Sequence, residues 1–94
     1  MRVVWTRRAL DDLDAIGRYI AGDSPGAAHR WILCLVNRAD TLADFPGRGR
    51  VVPEYSDPGV REIIVGNYRV VYRVRVQKVE ILTVFDGRKL LNVE

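Results

Sequence analysis

Ninety-four residues, 48% hydrophobic and 29% charged, suit one compact domain spanning 1–94 and exclude both a disordered chain and a two-domain one. No apolar run approaches the roughly 20 residues that span a bilayer, and the opening MRVVWTRRALDD is charged too early for a signal peptide, so the sequence predicts a cytoplasmic protein with no membrane partner. The net charge of +3 lies wholly in the second half: residues 1–45 set six arginines against six aspartates, and 46–94 set seven arginines and two lysines against six acids.

The single cysteine, Cys34, cannot close an intrachain disulfide, and with one histidine, His29, it makes no zinc cluster. The expectation is a reduced protein without metal or cofactor. Thirteen of the fifteen cations are arginine, the cation suited to bidentate contact with phosphate or carboxylate. The excess permits a nucleic-acid or acidic-protein partner without demanding one.

In chain order, RVVW at 2–5 reads as a short strand. Thr6 then stands where a helix N-cap should, with Asp11, Asp12 and Asp14 placed to favour the early turns. Ala9, Leu13, Ile16 and Ile20 recur at helical spacing, which predicts an amphipathic helix over 7–21. GDSPG breaks it, and Ser24 and Pro25 supply a second N-cap and first helical residue. The second helix is predicted over 25–44, with Ala28, Trp31, Ile32, Leu35, Ala39 and Leu42 as its stripe. Joined so closely, the two helices form an antiparallel hairpin. Trp5, Trp31 and Cys34 or its neighbourhood are expected in the core, and His29 on the surface.

PGRGRVVPEYSDPG, 46–59, reads as a loop with a short extended piece near Arg50–Pro53. Three strand-like runs follow at 60–65, 68–76 and 79–85. Gly66-Asn67 and Gln77-Lys78 separate them at hairpin spacing, which predicts an antiparallel meander. The first pair has residues suited to positive φ and the second does not. Leu90, Leu91 and Val93 read as an edge strand or a tail on the helices. The order β-α-α-β-β-β predicts an α+β domain, with the helical hairpin on one face of an antiparallel sheet.

Such a sheet leaves its other face open. In YRVVYRVRV, Tyr68, Val70, Tyr72, Val74 and Val76 should meet the helices, and Arg69, Val71, Arg73 and Arg75 should face outward. With Arg61 on the open side, Arg61, Arg69 and Arg73 would line one groove; a one-residue register change would flip this. These arginines either grip something anionic or form a solvated face with cross-strand pairs to Glu62 or Glu80.

Several segments together carry a resemblance: W-T-x-x-A-x-x-D-L at Trp5–Leu13, YI at 19–20, L-x-x-F-P-x-x-G-R at 42–50, PE at 53–54, RE at 61–62, YRVVY at 68–72 and V-x-x-G-R at 84–88. In this order and spacing the chain resembles the RelE/ParE superfamily of type II toxin–antitoxin toxins, whose β-α-α-β-β-β fold matches the predicted one. RelE-like members are ribosome-dependent mRNA endonucleases, and ParE-like members poison DNA gyrase and block replication.

The resemblance implies, for a nuclease, catalytic positions at Glu54, Arg61, Arg69 and Arg88; for either activity it implies a target- or antitoxin-binding surface at Arg61, Arg69, Arg73 and Arg88. RNA cleavage also needs groups that move protons. No tyrosine follows Tyr72, no histidine follows His29, and arginine is a poor proton shuttle. The acidic first helix is similar to ParE-like toxins, as is the tail VFDGRKLL, although Asp86 stands where the family often has His. The resemblance therefore implies a ParE-like toxin: a binding protein directed at DNA gyrase, used in plasmid stabilisation or growth inhibition. A ParD-like antitoxin with a ribbon-helix-helix half would neutralise it. The alternatives are a RelE-like nuclease acting on mRNA at the ribosome, or a degenerate toxin that only binds antitoxin.

Overall fold

A computed structural model describes residues 1–88; the expected tail contacts of Leu90, Leu91 and Val93 lie outside the described residues. The elements are β1 (Arg2–Trp5), α1 (Arg7–Ala21), α2 (Pro25–Asp40), a 3-10 turn (Thr41–Ala43), β2 (Arg50–Val51), β3 (Val60–Val65), β4 (Tyr68–Val74) and β5 (Lys78–Asp86). Thr6 caps α1, its hydroxyl accepting from the Ala9 N–H at 3.2 Å, and Ser24 caps α2 in the same way through Ala27. The second helix is shorter than the 25–44 expected: after Asp40 it tightens into the 3-10 turn, and Phe45 beyond it is largely exposed. The first turn of α1 holds no acid, so Asp11, Asp12 and Asp14 do not sit where a helix N-terminus rewards charge most.

The sheet order is β1-β5-β4-β3-β2. The meander β3-β4-β5 is antiparallel as expected, but β1 lies parallel against β5, with Arg2 beside Lys78 and Trp5 beside Ile81. The sheet is therefore mixed. A strand left at the end of a meander has unpaired backbone groups, and β1 satisfies those of β5.

Helices cover one face. Ala9, Leu35, Ala39 and Leu42 meet Ile63, Val65, Val70, Tyr72, Val79, Ile81 and Val84, with Trp5, Trp31, Tyr68 and Val74 packed alongside. The alternation in β4 holds for Tyr68, Val70, Tyr72 and Val74. It fails at Val76, which is 92% exposed. β4 has already ended there, and the turn is Val76-Gln77, closed by the Arg75 N–H on the Lys78 carbonyl at 2.8 Å. Cys34 is exposed, and its neighbour Leu35 is the core residue. His29 is exposed.

The far face is only partly open. Val52, Val60 and Val71 form a second small core with Tyr55, Leu82 and Phe85, roofed by the loop after β2. Leu82 reaches that face by plain alternation, and Phe85 joins it because β5 carries a bulge: the partner of Val71 is Thr83, and that of Tyr72 is Ile81. The extra residue reverses the alternation, so Val79 and Ile81 before it and Val84 after it all face the helices. Asp12 fastens the helix at this irregularity, accepting from the Thr83 hydroxyl and, at 3.1 Å, from the Val84 N–H. Asp12→Ala strands both donors and is expected to cost about 1–3 kcal/mol, read by urea unfolding; Asp14→Ala, on an exposed i,i+4 pair with Arg18, should change stability by about 0.5 kcal/mol or less.

Candidate functional site

The candidate charged residues of the sheet fall in four separate places. The first is an ion-pair chain on the far face. Glu62 of β3 lies fully buried, a lone acid in VREIIV. It lies diagonally across from Arg69 of β4, since Glu62 pairs with Val71 and Ile64 with Arg69. The Arg69 Nε donates to Glu62 Oε1 at 2.6 Å, and the Arg50 Nε donates to Glu62 Oε2 at 2.6 Å. The two outer nitrogens of Arg69 form a fork on Glu54, at 3.0 and 3.1 Å. The guanidinium also lies over the Phe85 ring, 5.0 Å from its centroid. Only 10% of the Arg69 side chain remains exposed.

The second place is on the helix side. Arg61 stands opposite Tyr72 and shares its face with Ile63 and Val65, so Arg61 does not join Arg69 and Arg73 in one groove. Alternation along β3 carries its side chain to the opposite face, where Nη1 donates to the Gly49 carbonyl at 2.7 Å. The Tyr72 hydroxyl completes this anchor, accepting from the Gly49 N–H and donating to the Pro46 carbonyl, both at 2.8 Å. Burial raises the Tyr72 pKa above its ordinary value.

The third place is the far end of β5. Arg88 is 75% exposed and bonds Asp86 through its Nε at 2.9 Å. Asp86, where the resemblance leads one to expect His, thus holds the adjacent arginine. Tyr19, Tyr68, Phe85 and Arg88 line a groove of about 450 Å³ against α1. Burial, then Asp86, raises the Tyr68 pKa.

The remaining arginine of interest, Arg73, stands at the other end of β4 between Val60 and Glu80, with Asp57 at 3.9 Å. The candidate residues therefore do not converge. Arg69 and Glu54 meet; Arg61, Arg73 and Arg88 each lie elsewhere. Sequence reasoning offered Glu62 as a cross-strand partner for these arginines, which Arg69 confirms, but missed Arg50 as a member of the cluster. The legible signal was one carboxylate among β-branched residues, two strand positions from an arginine's partner.

Chemically, the cluster neutralises and positions; it does not present a free base. The hydrogen bond from Arg69 holds the Glu54 carboxyl below the usual carboxylate range, against the opposing effect of its partial burial. A lowered folded-state pKa stabilises the fold above the unfolded pKa and loses that contribution as pH falls through the folded value. Stability is thus expected to fall as pH drops below about 4.5, and Glu54→Gln should flatten that acid limb relative to the parent, measured by thermal melts from pH 6 to about 3. An unchanged limb would remove Glu54 from the account.

With this geometry in hand, three comparisons bear on identity. Residues 3–91 match the family described as ParE toxin of type II toxin–antitoxin system, parDE. The toxin candidate Y4kP of Sinorhizobium fredii is 40% identical over 94 residues, covering 94% of this chain and 90% of that one; Toxin RelE2 of Caulobacter vibrioides is 48% identical over 64 residues, 68% of each. Among solved structures, the chromosomal ParDE system from P. aeruginosa superposes with TM-score 0.74 at 29% identity, covering 89% of this chain and 92% of that chain. The RelBE2 toxin–antitoxin complex from Mycobacterium tuberculosis superposes with TM-score 0.68 at 26% identity, covering 90% and 88%. A family match over nearly the whole chain, on the fold described above, makes this protein a member of the ParE toxin family of type II toxin–antitoxin systems, within the RelE/ParE superfamily.

Proposed function

We propose that the chain is a gyrase-directed toxin that acts by binding, and that a cognate ParD-like antitoxin neutralises it. The observation that carries this reading is the state of Glu54 and Arg69. A nuclease needs a base whose pKa lies near the working pH and a cation free to meet the phosphate. Glu54 has both oxygens on Arg69 and a lowered pKa, and Arg69 is held on its remaining edge by Glu62. Arg61 and Arg88 point to other places and have partners of their own. Four positions that would have to surround one phosphate are dispersed over both faces and one end of the sheet.

An antitoxin partner is supported by the neighbours in structure, which are toxin–antitoxin systems. A ribbon-helix-helix protein with an acidic, amphipathic C-terminal segment suits a toxin of net charge +3.

The test is supercoiling by purified gyrase, alongside mRNA integrity in cells after induction. Inhibited supercoiling with intact mRNA is expected; codon-phased mRNA cuts with normal supercoiling would overturn the reading. The variant Glu54→Gln sharpens it. For a binding toxin, the concentration giving half-inhibition of gyrase should move less than about threefold, whereas removing a general base costs on the order of 100- to 10,000-fold in rate.

A further inference from the structure

The open face ends in a row of cations remote from the cluster at Arg69. Arg2 of β1 stands beside Lys78 of β5 in parallel register. Because Val74 pairs with Val79, the next residues out, Arg75 and Lys78, stand opposite each other, and their backbones are joined at 2.8 Å. Arg2, Lys78 and Arg75 therefore lie side by side across three neighbouring strands, a span of about 10 Å. In the next row, Arg73 stands opposite Glu80. Arg75 is about 20 Å along β4 from Arg69.

Like charges directly opposite one another destabilise a sheet, and this row is only partly compensated. Glu80 serves both Arg75, at 2.8 Å, and Lys78, at 3.8 Å. Among the described residues Arg2 meets no carboxylate, and the buried Nε of Arg73 finds no acceptor. The three residues of the row line a shallow depression of about 670 Å³ with Val76 and Gln77 of the turn. Val76, 92% exposed between the cations, serves no packing role. An apolar hairpin tip flanked by cations is a form that contacts a nucleic-acid groove and its phosphates together.

We propose that this end of the sheet, Arg2, Arg73, Arg75 and Lys78 around Val76, is a docking surface for the sugar–phosphate backbone of duplex DNA. The choice of DNA as the polyanion rests on the gyrase reading above. The surface itself rests on the register and the charges.

The experiment is fluorescence anisotropy of a short labelled DNA duplex with the purified full chain, without gyrase. Three to four phosphate contacts predict an affinity that falls about 40- to 150-fold between 50 and 200 mM salt. Arg2→Gln/Arg75→Gln/Lys78→Gln should abolish most of that dependence. The control Arg7→Gln/Arg30→Gln/Arg38→Gln removes the same charge from exposed helix positions and should keep most of it, with folding of both variants checked by circular dichroism. Val76→Asp alone should weaken binding. Equal losses in the two triple variants would overturn the proposal, as would no binding at 50 mM salt. So would stronger binding to phosphatidylserine vesicles or single-stranded RNA than to the duplex. Because gyrase is absent, a failure here leaves the supercoiling result standing, and a failure to inhibit gyrase leaves the duplex affinity standing.

Discussion

Glu62→Ala is expected to lower stability by about 3–5 kcal/mol, because removing one partner of a buried ion pair leaves the other charge in a poor solvent. Arg69 would keep Glu54, but only on its outer edge, with its Nε facing the emptied site. For a domain of this size the loss corresponds to a fall in Tm of roughly 12 °C or more. The informative partner is Glu62→Leu with Arg69→Met, which replaces both charges by apolar groups of similar size. Buried pairs replaced in this way are often neutral or stabilising, and here the small core of Val52, Val60, Val71 and Phe85 could accept them. The double variant should therefore recover most of the single variant's loss. Urea unfolding measures both; a single variant within about 1 kcal/mol of the parent would mean that water reaches Glu62.

Gly66→Ala is the second large effect. Gly66 is the one positive-φ residue among those described, at +60°, and opens the turn between β3 and β4. Positive φ at the first central residue alone is the signature of a type II′ hairpin turn, where glycine is required. A second constraint is superimposed on the first. A Cβ on Gly66 would overlap the six-membered edge of Trp31, and Trp31 is itself wedged edge-on against Tyr68, with centroids 5.4 Å apart. Left-handed strain of about 1–2 kcal/mol and overpacking of about 1–3 kcal/mol give a loss of about 2–5 kcal/mol. In a Trp31→Leu background the same substitution should cost only the backbone part, about 1–2 kcal/mol. Equal costs in both backgrounds would show that the ring yields freely.

Those two predictions also mark what could be read from the chain and what could not. Helices, caps and the meander were legible because each rests on local rules: Thr6, Ser24 and Pro25 announce helix starts, and Gly66 announces a turn. The helix-facing side of β4 was legible from period two. The sequence misled where one face became the other. The bulge at Leu82 reverses the alternation of β5 without a glycine or proline to announce it. At Arg61, the alternation Arg61-Ile63-Val65 was plain, but which side faced the helices was left conditional. The Ile63 and Val65 pair, buried with the helices, decides it, and separates Arg61 from Arg69. Val76 was assigned to the core because the strand was extended past its end. The candidate site was legible as a set of residue types and not as a set of neighbours. Arg69 and Glu54 meet because a loop of irregular backbone folds over the sheet, and no periodicity describes such a loop.

The pairing of β1 with β5 also bears on when this toxin exists as a toxin. The Thr6 hydroxyl and N–H both bond the Ile81 carbonyl, and Asp12 bonds Thr83 and Val84, so the first strand and first helix wait for residues some seventy positions later. Closing so long a loop is entropically slow compared with local pairing, and during synthesis it cannot begin until β5 has left the ribosome. At translation speeds of roughly 5–20 residues per second, the nascent chain passes several seconds with its helices formed at most transiently and its sheet unassembled. The harmful shape is thus withheld until β5 has been made, an interval in which an antitoxin already present could meet the chain as it emerges.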